Sequence, residues 1–166
     1  MNYIQFDRSG EVNVEKIYLN SEGYHRLENN LMLFYTGITR SASTILKEQK
    51  DNTTSDPSKI ENLHKMVELV TILREQLLRN NIDAMGEVLR EGWRLKRSLA
   101  SKVSNPKIDE WYEKAIKAGA LGGKLLGAGG GGFLLFYVQE QNHQRVRDAL
   151  CDLKTMPFRL EGTSIK

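Results

Sequence analysis

Cysteine is almost absent from this chain of 166 residues, in which Cys151 is the single one. A lone cysteine excludes an internal disulfide framework and fits a reducing compartment, so we expect a cytoplasmic protein. Long apolar runs are missing as well: none approaches the ~18–20 residues of a membrane-spanning helix, and we expect no membrane partner. Residues 1–11 lack a basic region followed by an apolar one, so we expect no signal peptide.

Neither a strongly basic face nor a metal-ligand cluster stands out. The net charge is only +3, and no basic stripe carries interleaved aromatic residues, so nucleic acid is not an expected partner. The three histidines are far apart and have no cysteine or carboxylate partners at metal-ligand spacing; they are His25, His64 and His143. We therefore expect no metal site built from the side chains of this chain.

The composition is that of a globular protein. Hydrophobic residues make up 40% of the chain and charged residues 27%, which separates it from disordered chains. The length suits one domain, or one domain together with a fragment of another.

Apolar patterning predicts the strands. Residues 2–18 form a hairpin around a turn at residues 7–10, and an isolated hairpin is marginally stable, so it must pair with something else. The continuous run Leu31–Tyr35 predicts a buried strand, and Phe133–Val138 predicts the strongest one. A terminal strand is predicted over Thr155–Leu160.

Helical periodicity and capping residues predict the helices. A helix follows from about Ser41, residues 51–58 form a polar loop, and further helices span residues 57–79, 83–101, 104–118 and 142–153. In the first long helix, one inner stripe is predicted to consist of Ile60, Leu63, Val67, Val70, Leu73 and Leu77. This order of elements predicts an α+β fold, an antiparallel four-stranded sheet with helices packed on one face.

The most unusual segment is the run Gly127–Gly132, which contains one alanine, Ala128, among five glycines. Glycine costs conformational entropy, and it allows positive φ and close approach of a ligand, so that successive N–H groups converge on an anion. The alternative is a glycine-rich turn between two strands, but such a turn needs only one or two glycines. The run is not a Walker A loop, because no Gly-Lys-Ser/Thr follows. It is not a Rossmann fingerprint, because a strand follows directly.

The residues around this run resemble a known family. The segment Lys124-Leu125-Leu126-Gly127-Ala128-Gly129-Gly130-Gly131-Gly132-Phe133 resembles the third conserved motif of the GHMP kinases, and Asn105-Pro106-Lys107-Ile108-Asp109 resembles the helix start before it. Within that superfamily the chain resembles the D-glycero-D-manno-heptose 7-phosphate kinases at residues 2–6, 33–40 and 91–96. The resemblance covers essentially the whole chain and implies a ferredoxin-like C-terminal kinase domain.

The resemblance also implies the function and the site. It implies an ATP- and Mg²⁺-dependent sugar kinase that phosphorylates the anomeric hydroxyl of heptose 7-phosphate. The predicted ATP phosphate loop consists of Gly127, Ala128, Gly129, Gly130, Gly131 and Gly132, together with Lys124. Lys124 has an alternative, which is to pair with a carboxylate on a nearby helix. Lys96 is predicted to be solvated beside a core Trp93, and the alternative is that these two residues contact the substrate.

A substrate-binding segment is predicted directly after the buried strand of residues 31–35. Loops at strand ends commonly carry ligands, and the candidates here are Thr36, Gly37, Thr39 and Arg40. Arg40 could bind a sugar phosphate bidentately, and the alternative is an arginine solvated at a helix start.

The family's principal phosphate loop, of the form P-x-G-x-G-S-S-S, is absent, and so is any residue assignable as the catalytic base. We therefore expect residues 1–20 to be the terminal strands of a missing N-terminal kinase domain and residues 21–166 to be the C-terminal domain. Because phosphoryl transfer depends on groups from both halves, we expect the isolated chain to be inactive.

A second function remains open at this point. An α+β sheet of this kind also serves as a non-catalytic regulatory or RNA-binding module. Aromatic residues for base stacking would be Phe133, Phe136 and Tyr137, but the flanks lack clusters of lysine and arginine.

Overall fold

The computed structural model describes residues 1–39 and 41–160. Strands β1 (Asn2–Phe6) and β2 (Val12–Lys16) form an antiparallel hairpin, as predicted. The other elements, in chain order, are α1 (Ser21–Asn30), β3 (Leu31–Tyr35), α2 (Ala42–Ser55), α3 (Pro57–Leu78), α4 (Ala84–Leu99), α5 (Pro106–Lys117), β4 (Ala120–Leu125), β5 (Phe133–Val138), α6 (His143–Ala149) and β6 (Lys154–Met156).

Four of the strands form one antiparallel sheet in the order β4-β5-β3-β6. The predicted bounds of β3 and β5 are confirmed at both ends, and these two strands occupy the centre of the sheet. Their register places Tyr35 opposite Phe133. The segment after β3 and the loop before β5 therefore emerge side by side.

The main hydrophobic core lies on one face of this sheet. Alternate residues of the central strands, among them Phe34 and Phe136, form its floor. Helices α2, α4, α5 and α6 contribute the buried side chains Ile45, Trp93, Ile108, Trp111, Tyr112 and Val146, and Leu150 follows at the end of α6. The predicted α+β architecture, with helices packed on a four-stranded antiparallel sheet, is confirmed.

A smaller cluster covers one end of the opposite face. The pairing partners Leu31 and Tyr137 share it with Leu27 of α1, Leu77 of α3 and Ile17 from the end of the hairpin. On the rest of this face, the two central strands carry the half-buried side chains Leu33, Tyr35, Phe133 and Leu135. The hairpin remains a separate two-stranded sheet and is joined to α3 by an ion pair between Glu15 and Arg74.

Helix α4 lies unusually close to strand β4 because glycines face each other at the contact. A Cβ atom on Gly86 would lie 2.6 Å from Cβ of Leu121, and one on Gly122 would overlap the carbonyl oxygen of Gly86. This close packing brings the end of α4 beside the loop that follows β4.

The predicted loop over residues 51–58 is wrong, because α2 continues to Ser55. Its polar residues bond within the helix: the hydroxyl of Thr53 donates to the Gln49 carbonyl at 2.7 Å, and that of Thr54 to the Lys50 carbonyl at 2.9 Å. Such bonds to the fourth preceding carbonyl let hydroxyl residues remain helical. The break comes at Asp56, whose carboxylate accepts from the Ser58 amide and caps α3.

The inner stripe predicted for α3 is correct at Leu63, Leu73 and Leu77 and wrong at Ile60, Val67 and Val70. Val67 is 65% exposed and Val70 is 49% exposed, whereas Met66 and Leu69 are half-buried. The helix is apolar on several sides, so periodicity alone does not show which side faces α4.

The remaining differences lie at short elements. Helix α1 is not predicted, since Gly23 interrupts its sequence and Leu27 is its single large buried apolar residue. Helix α6 is shorter than the predicted 142–153, and β6 ends at Met156 because Pro157 has no N–H with which to continue the pairing.

Candidate functional site

The glycine run forms the connection between β4 and β5, as predicted for a loop joining two strands. Four of its residues have φ between +75° and +123°, and these are Gly127, Gly129, Gly130 and Gly132. Side chains rarely adopt this region of backbone space. The backbone path of the loop thus requires more glycines than a two-residue hairpin turn does.

Two neighbouring segments press against the loop. A Cβ atom on Gly129 would lie 2.7 Å from the carbonyl oxygen of Val103, and one on Gly131 would overlap the carbonyl oxygen of Ile38. Val103 lies just before α5, and Ile38 lies just after β3. Glycine at these two positions is therefore required by packing as well as by conformation.

The loop N–H groups divide into two sets. Gly130 donates to the Val103 carbonyl at 2.9 Å, and Gly132 donates to the Ile38 carbonyl at 2.8 Å. Within residues 1–39 and 41–160, no protein acceptor is bonded to the N–H groups of Gly127, Ala128, Gly129 and Gly131. The first set holds the loop in place, and the second set has no acceptor among the described residues.

Thr36 anchors the loop and is not a free hydroxyl. It is 6% exposed, its Oγ1 donates to the Gly132 carbonyl at 2.8 Å, and the same oxygen accepts from the Gly132 N–H at 3.1 Å. Its backbone N–H also bonds the Gly132 carbonyl at 2.9 Å. Any effect of Thr36 on a ligand is therefore exerted through the position of the loop.

The other predicted substrate residues lie at the same place. Gly37 has φ of +69° and, like Thr39, is exposed beside the loop. Arg40 lies outside the described residues. The structure thus brings the two predicted segments, residues 36–39 and residues 127–132, together at one end of the sheet.

The hydroxyl of Thr36 yields a stability prediction. Thr36→Val keeps the side-chain shape but removes the donor to the Gly132 carbonyl and one acceptor for the Gly132 N–H. We expect a loss of about 1–3 kcal/mol in the free energy of unfolding, because buried partners are left unsatisfied. Thr36→Ser keeps the hydroxyl and should lose less than about 1 kcal/mol, the value of one methyl group. Urea unfolding compares the two variants, and equal losses would contradict the anchoring role.

Lys96 lies beside the loop, although its position in the sequence favoured a solvated side chain. Its side chain is half-buried, and its Nζ donates to the carbonyl oxygen of Gly127. Burial lowers the pKa of Lys96, and the neighbouring charge of Lys124 lowers it further. The prediction that Lys96 is solvated is therefore wrong. The sequence did carry a signal for its burial, which is its position one turn after Trp93, on the side of α4 that faces the core.

Lys124 lies on β4 three residues before Gly127 and is half-buried. Its alternative role, pairing with a carboxylate, is not observed among the described residues, where it forms no ion pair. Asn105, at the start of α5, accepts from the N–H groups of Lys107 and Ile108 and lies 3.5 Å from the Gly130 carbonyl. Asn105 thus caps α5 through its side-chain oxygen and contacts the loop through its side-chain nitrogen.

A separate groove of about 480 Å³ lies between α4, α5 and β4, and Arg90, Trp93 and Tyr112 are among its lining residues. None of the predicted site residues lines it. Burial raises the pKa of Tyr112 to about 12, which keeps this phenol neutral under ordinary conditions.

In the part of the chain that the structure describes, no helix has the length and apolar character needed to cross a bilayer.

Comparison with known proteins agrees with this fold and loop. Residues 73–154 match the family model described as GHMP kinases C terminal. These residues therefore belong to the C-terminal domain family of the GHMP kinases. Among curated relatives, the D-glycero-alpha-D-manno-heptose 7-phosphate kinase of Campylobacter jejuni is 30% identical over 149 residues, covering 90% of this chain and 44% of that enzyme. The resemblance stated from the sequence is confirmed at the level of the family.

Solved kinase structures share the fold. Mevalonate kinase of L. major matches with a TM-score of 0.72 at 18% identity, covering 92% of this chain and 48% of that one. Phosphomevalonate kinase of Streptococcus pneumoniae, solved with phosphomevalonate and AMPPNP, matches with a TM-score of 0.69 at 16% identity, covering 91% and 43%. The chain spans less than half the length of these relatives.

Proposed function

We propose that this chain is the C-terminal half of an ATP-dependent sugar kinase and that its loop, residues 127–132, supports the phosphates of ATP. The observation that carries the proposal is the set of N–H groups at Gly127, Ala128, Gly129 and Gly131, which have no acceptor among the described residues. In phosphoryl transfer, catalysis is mostly positioning and neutralisation of phosphate charge, and backbone N–H groups supply both. The S. pneumoniae relative was solved with AMPPNP, a ligand of the same chemical class as ATP.

The residues of this chain fit a polyphosphate better than they fit a metal. Lys96 and Lys124 place positive charge beside the loop, and neither pairs with a carboxylate among the described residues. Residues 1–39 and 41–160 contain no group of three or more His, Cys, Asp or Glu side chains that could hold a metal ion. Mg²⁺ bound with ATP would be held by phosphate oxygens and by groups other than the side chains of these described residues. It would offset the charge on the transferred phosphoryl group.

The acceptor that we propose is the anomeric hydroxyl of heptose 7-phosphate. The support is the 30% identical C. jejuni relative, which carries that substrate in its name. The exposed residues Gly37 and Thr39, which lie beside the loop, and Arg40, which follows them in sequence, are the proposed sugar-phosphate contacts.

The hairpin supports the proposal of a second domain. We propose that residues 1–20 are the terminal strands of an N-terminal kinase domain and that residues 21–166 form the C-terminal domain. The cross-strand pairs Ile4–Val14 and Phe6–Val12 leave large apolar side chains in solvent, and Phe6 is 75% exposed. A two-stranded sheet with such a face is marginally stable unless another layer covers it.

The direct test is a hybrid enzyme. Residues 1–166 replace the matching part of the C. jejuni heptose 7-phosphate kinase, and the hybrid is assayed for ATP-dependent phosphorylation of heptose 7-phosphate. We expect turnover by the hybrid and none by the isolated chain, because the principal phosphate loop is supplied by the other half. A hybrid with Gly129→Val controls for dependence on the loop.

Two outcomes would contradict the proposal. Turnover by the isolated chain comparable with that of the relative would show that the site is not shared with another domain. A hybrid that is folded by circular dichroism and elutes as one species, yet phosphorylates no sugar, would reject the kinase function itself.

The aromatic residues considered for stacking on RNA bases are buried or half-buried. Phe136 and Tyr137 are 0% exposed, and Phe133 is half-buried with its ring 5.1 Å from that of Tyr35. Single-stranded nucleic acid is bound by exposed aromatic faces in a basic groove. This arrangement supports the kinase proposal over the binding module.

A further inference from the structure

Lys96 sits where an ammonium group has an unusual environment. It belongs to the last turn of α4, which the contact between Gly86 and Gly122 holds close to β4. Its Nζ reaches across to the carbonyl oxygen of Gly127, the first glycine of the loop. A half-buried ammonium with one neutral acceptor is incompletely compensated, because desolvation of a cation is costly unless an anion pairs with it.

The cations next to Lys96 on α4 are compensated in the ordinary way. Arg94 pairs with Glu91 at 2.6 Å, and Arg97 pairs with Asp109 at 2.9 Å. In the described part of the chain, Lys96 has no carboxylate partner, and the charged group that acts on it is a second cation, Lys124. The last turns of α4 thus have a carboxylate beside each of these two arginines and none beside the lysine that faces the loop.

The two lysines converge on the start of the loop from different elements. Lys96 comes from α4, and Lys124 comes from β4, whose last residue lies two positions before Gly127. The N–H group of Gly127, which bonds no acceptor among the described residues, belongs to the same residue as the carbonyl that Lys96 holds. Two ammonium groups near the start of a loop with unbonded backbone N–H groups suit a phosphate dianion.

We propose that Lys96 is a phosphate-binding residue of the glycine loop, acting with Lys124, and that its bond to Gly127 holds the loop ready for that phosphate. The proposal rests on the proposed function, since it assigns a further ligand to the same site. When a phosphate dianion binds, the Lys96 ammonium donates to a phosphate oxygen and keeps its bond to the Gly127 carbonyl. An ammonium has three donors, so it can contact both at once.

The test measures binding of tripolyphosphate to the 166-residue chain by calorimetry at fixed, low ionic strength. We expect Lys96→Met and Lys124→Met each to weaken binding by about tenfold, because each removes one charge-assisted contact. Lys117→Met is the matched control, an exposed lysine at the far end of α5, and should change affinity by less than about twofold. Lys96→Arg should restore most of the affinity, which a purely packing role would not predict.

A second titration distinguishes a nucleotide phosphate from a sugar phosphate as the ligand of Lys96. Glucose 6-phosphate, a sugar phosphomonoester, is titrated under the same conditions. Stronger dependence on Lys96 with tripolyphosphate assigns the residue to the nucleotide phosphates, and stronger dependence with the monoester assigns it to the sugar phosphate.

Three results would overturn the proposal. They are Lys96→Met binding within about twofold of the parent chain, an equal loss in Lys117→Met, and no detectable binding by the parent chain up to about 10 mM. Failure here is distinguishable from failure of the kinase proposal. An active hybrid enzyme that is unaffected by Lys96→Met rejects only the role of Lys96. Lys96-dependent binding without turnover in the hybrid rejects only the kinase.

Discussion

Gly122→Ala is expected to lower the free energy of unfolding by about 3 kcal/mol, the upper end of the cost of overpacking a core. The added methyl group would overlap the Gly86 carbonyl oxygen and lie 2.8 Å from both the backbone nitrogen and the Cβ of Arg90. These are backbone and Cβ atoms, which cannot rotate away, so α4 must move off β4. Urea unfolding followed by circular dichroism measures the loss.

Gly92→Ala is the matched control on the same helix. The nearest atom to an added Cβ there is Cδ1 of Leu69 at 4.0 Å, an ordinary contact. Because alanine favours a helix over glycine by roughly 0.8–1 kcal/mol, this variant should be more stable than the parent. Equal stability of the two variants would contradict the close approach of α4 to β4. Since α4 carries Lys96, Gly122→Ala should also weaken tripolyphosphate binding.

Gly129→Ala is expected to have the largest effect on the loop itself. Its φ of +123° is strained for any side chain, and its Cβ would lie 2.7 Å from the Val103 carbonyl oxygen. We expect a loss of about 2–3 kcal/mol in stability, or a displaced loop that no longer binds tripolyphosphate, because strain and overlap each cost roughly 1–3 kcal/mol. The hybrid kinase carrying this variant should lose turnover.

Two neighbouring glycines separate these causes. Gly127→Ala has φ of +80° but no atom within 4 Å of the added Cβ, so it isolates strain, at about 1–2 kcal/mol. Gly131→Ala places a Cβ that overlaps the Ile38 carbonyl oxygen and lies 2.8 Å from its carbon, at a φ outside the left-handed region, so it isolates overlap. Thermal unfolding of the three variants should rank Gly129→Ala as the most destabilised. The same loss in Gly127→Ala and Gly129→Ala would contradict the role of Val103.

Strong local patterns predicted their elements well. Leu31–Tyr35 and Phe133–Val138 are continuous apolar runs next to glycine or threonine, and both are strands with the predicted bounds. Asn105-Pro106 predicted the start of α5, where the Asn105 side chain accepts two N–H groups. In each case the signal lies within the element, so no distant contact is needed to interpret it.

The wrong predictions share a physical cause, which is dependence on distant partners. The polar stretch at residues 51–55 stays helical, and Asn52 there bonds the Leu99 carbonyl of α4 at 2.9 Å. The orientation of α3 depends on where α4 lies, because α3 is apolar on several sides. Lys96 was predicted to be solvated, and the loop that it contacts lies 31 residues further along the chain.

Residue order alone was sufficient for the family motif, the α+β class and the presence of a glycine loop, since these follow from composition and local pattern. It also showed that the pattern P-x-G-x-G-S-S-S does not occur within these 166 residues. Three-dimensional packing was needed to show that Thr36 supports the loop, that Gly130 and Gly132 bond the Val103 and Ile38 segments, and that Lys96 bonds the first glycine of the loop. These contacts join residues that are distant along the chain, and the register of the sheet with the close packing of α4 brings them together.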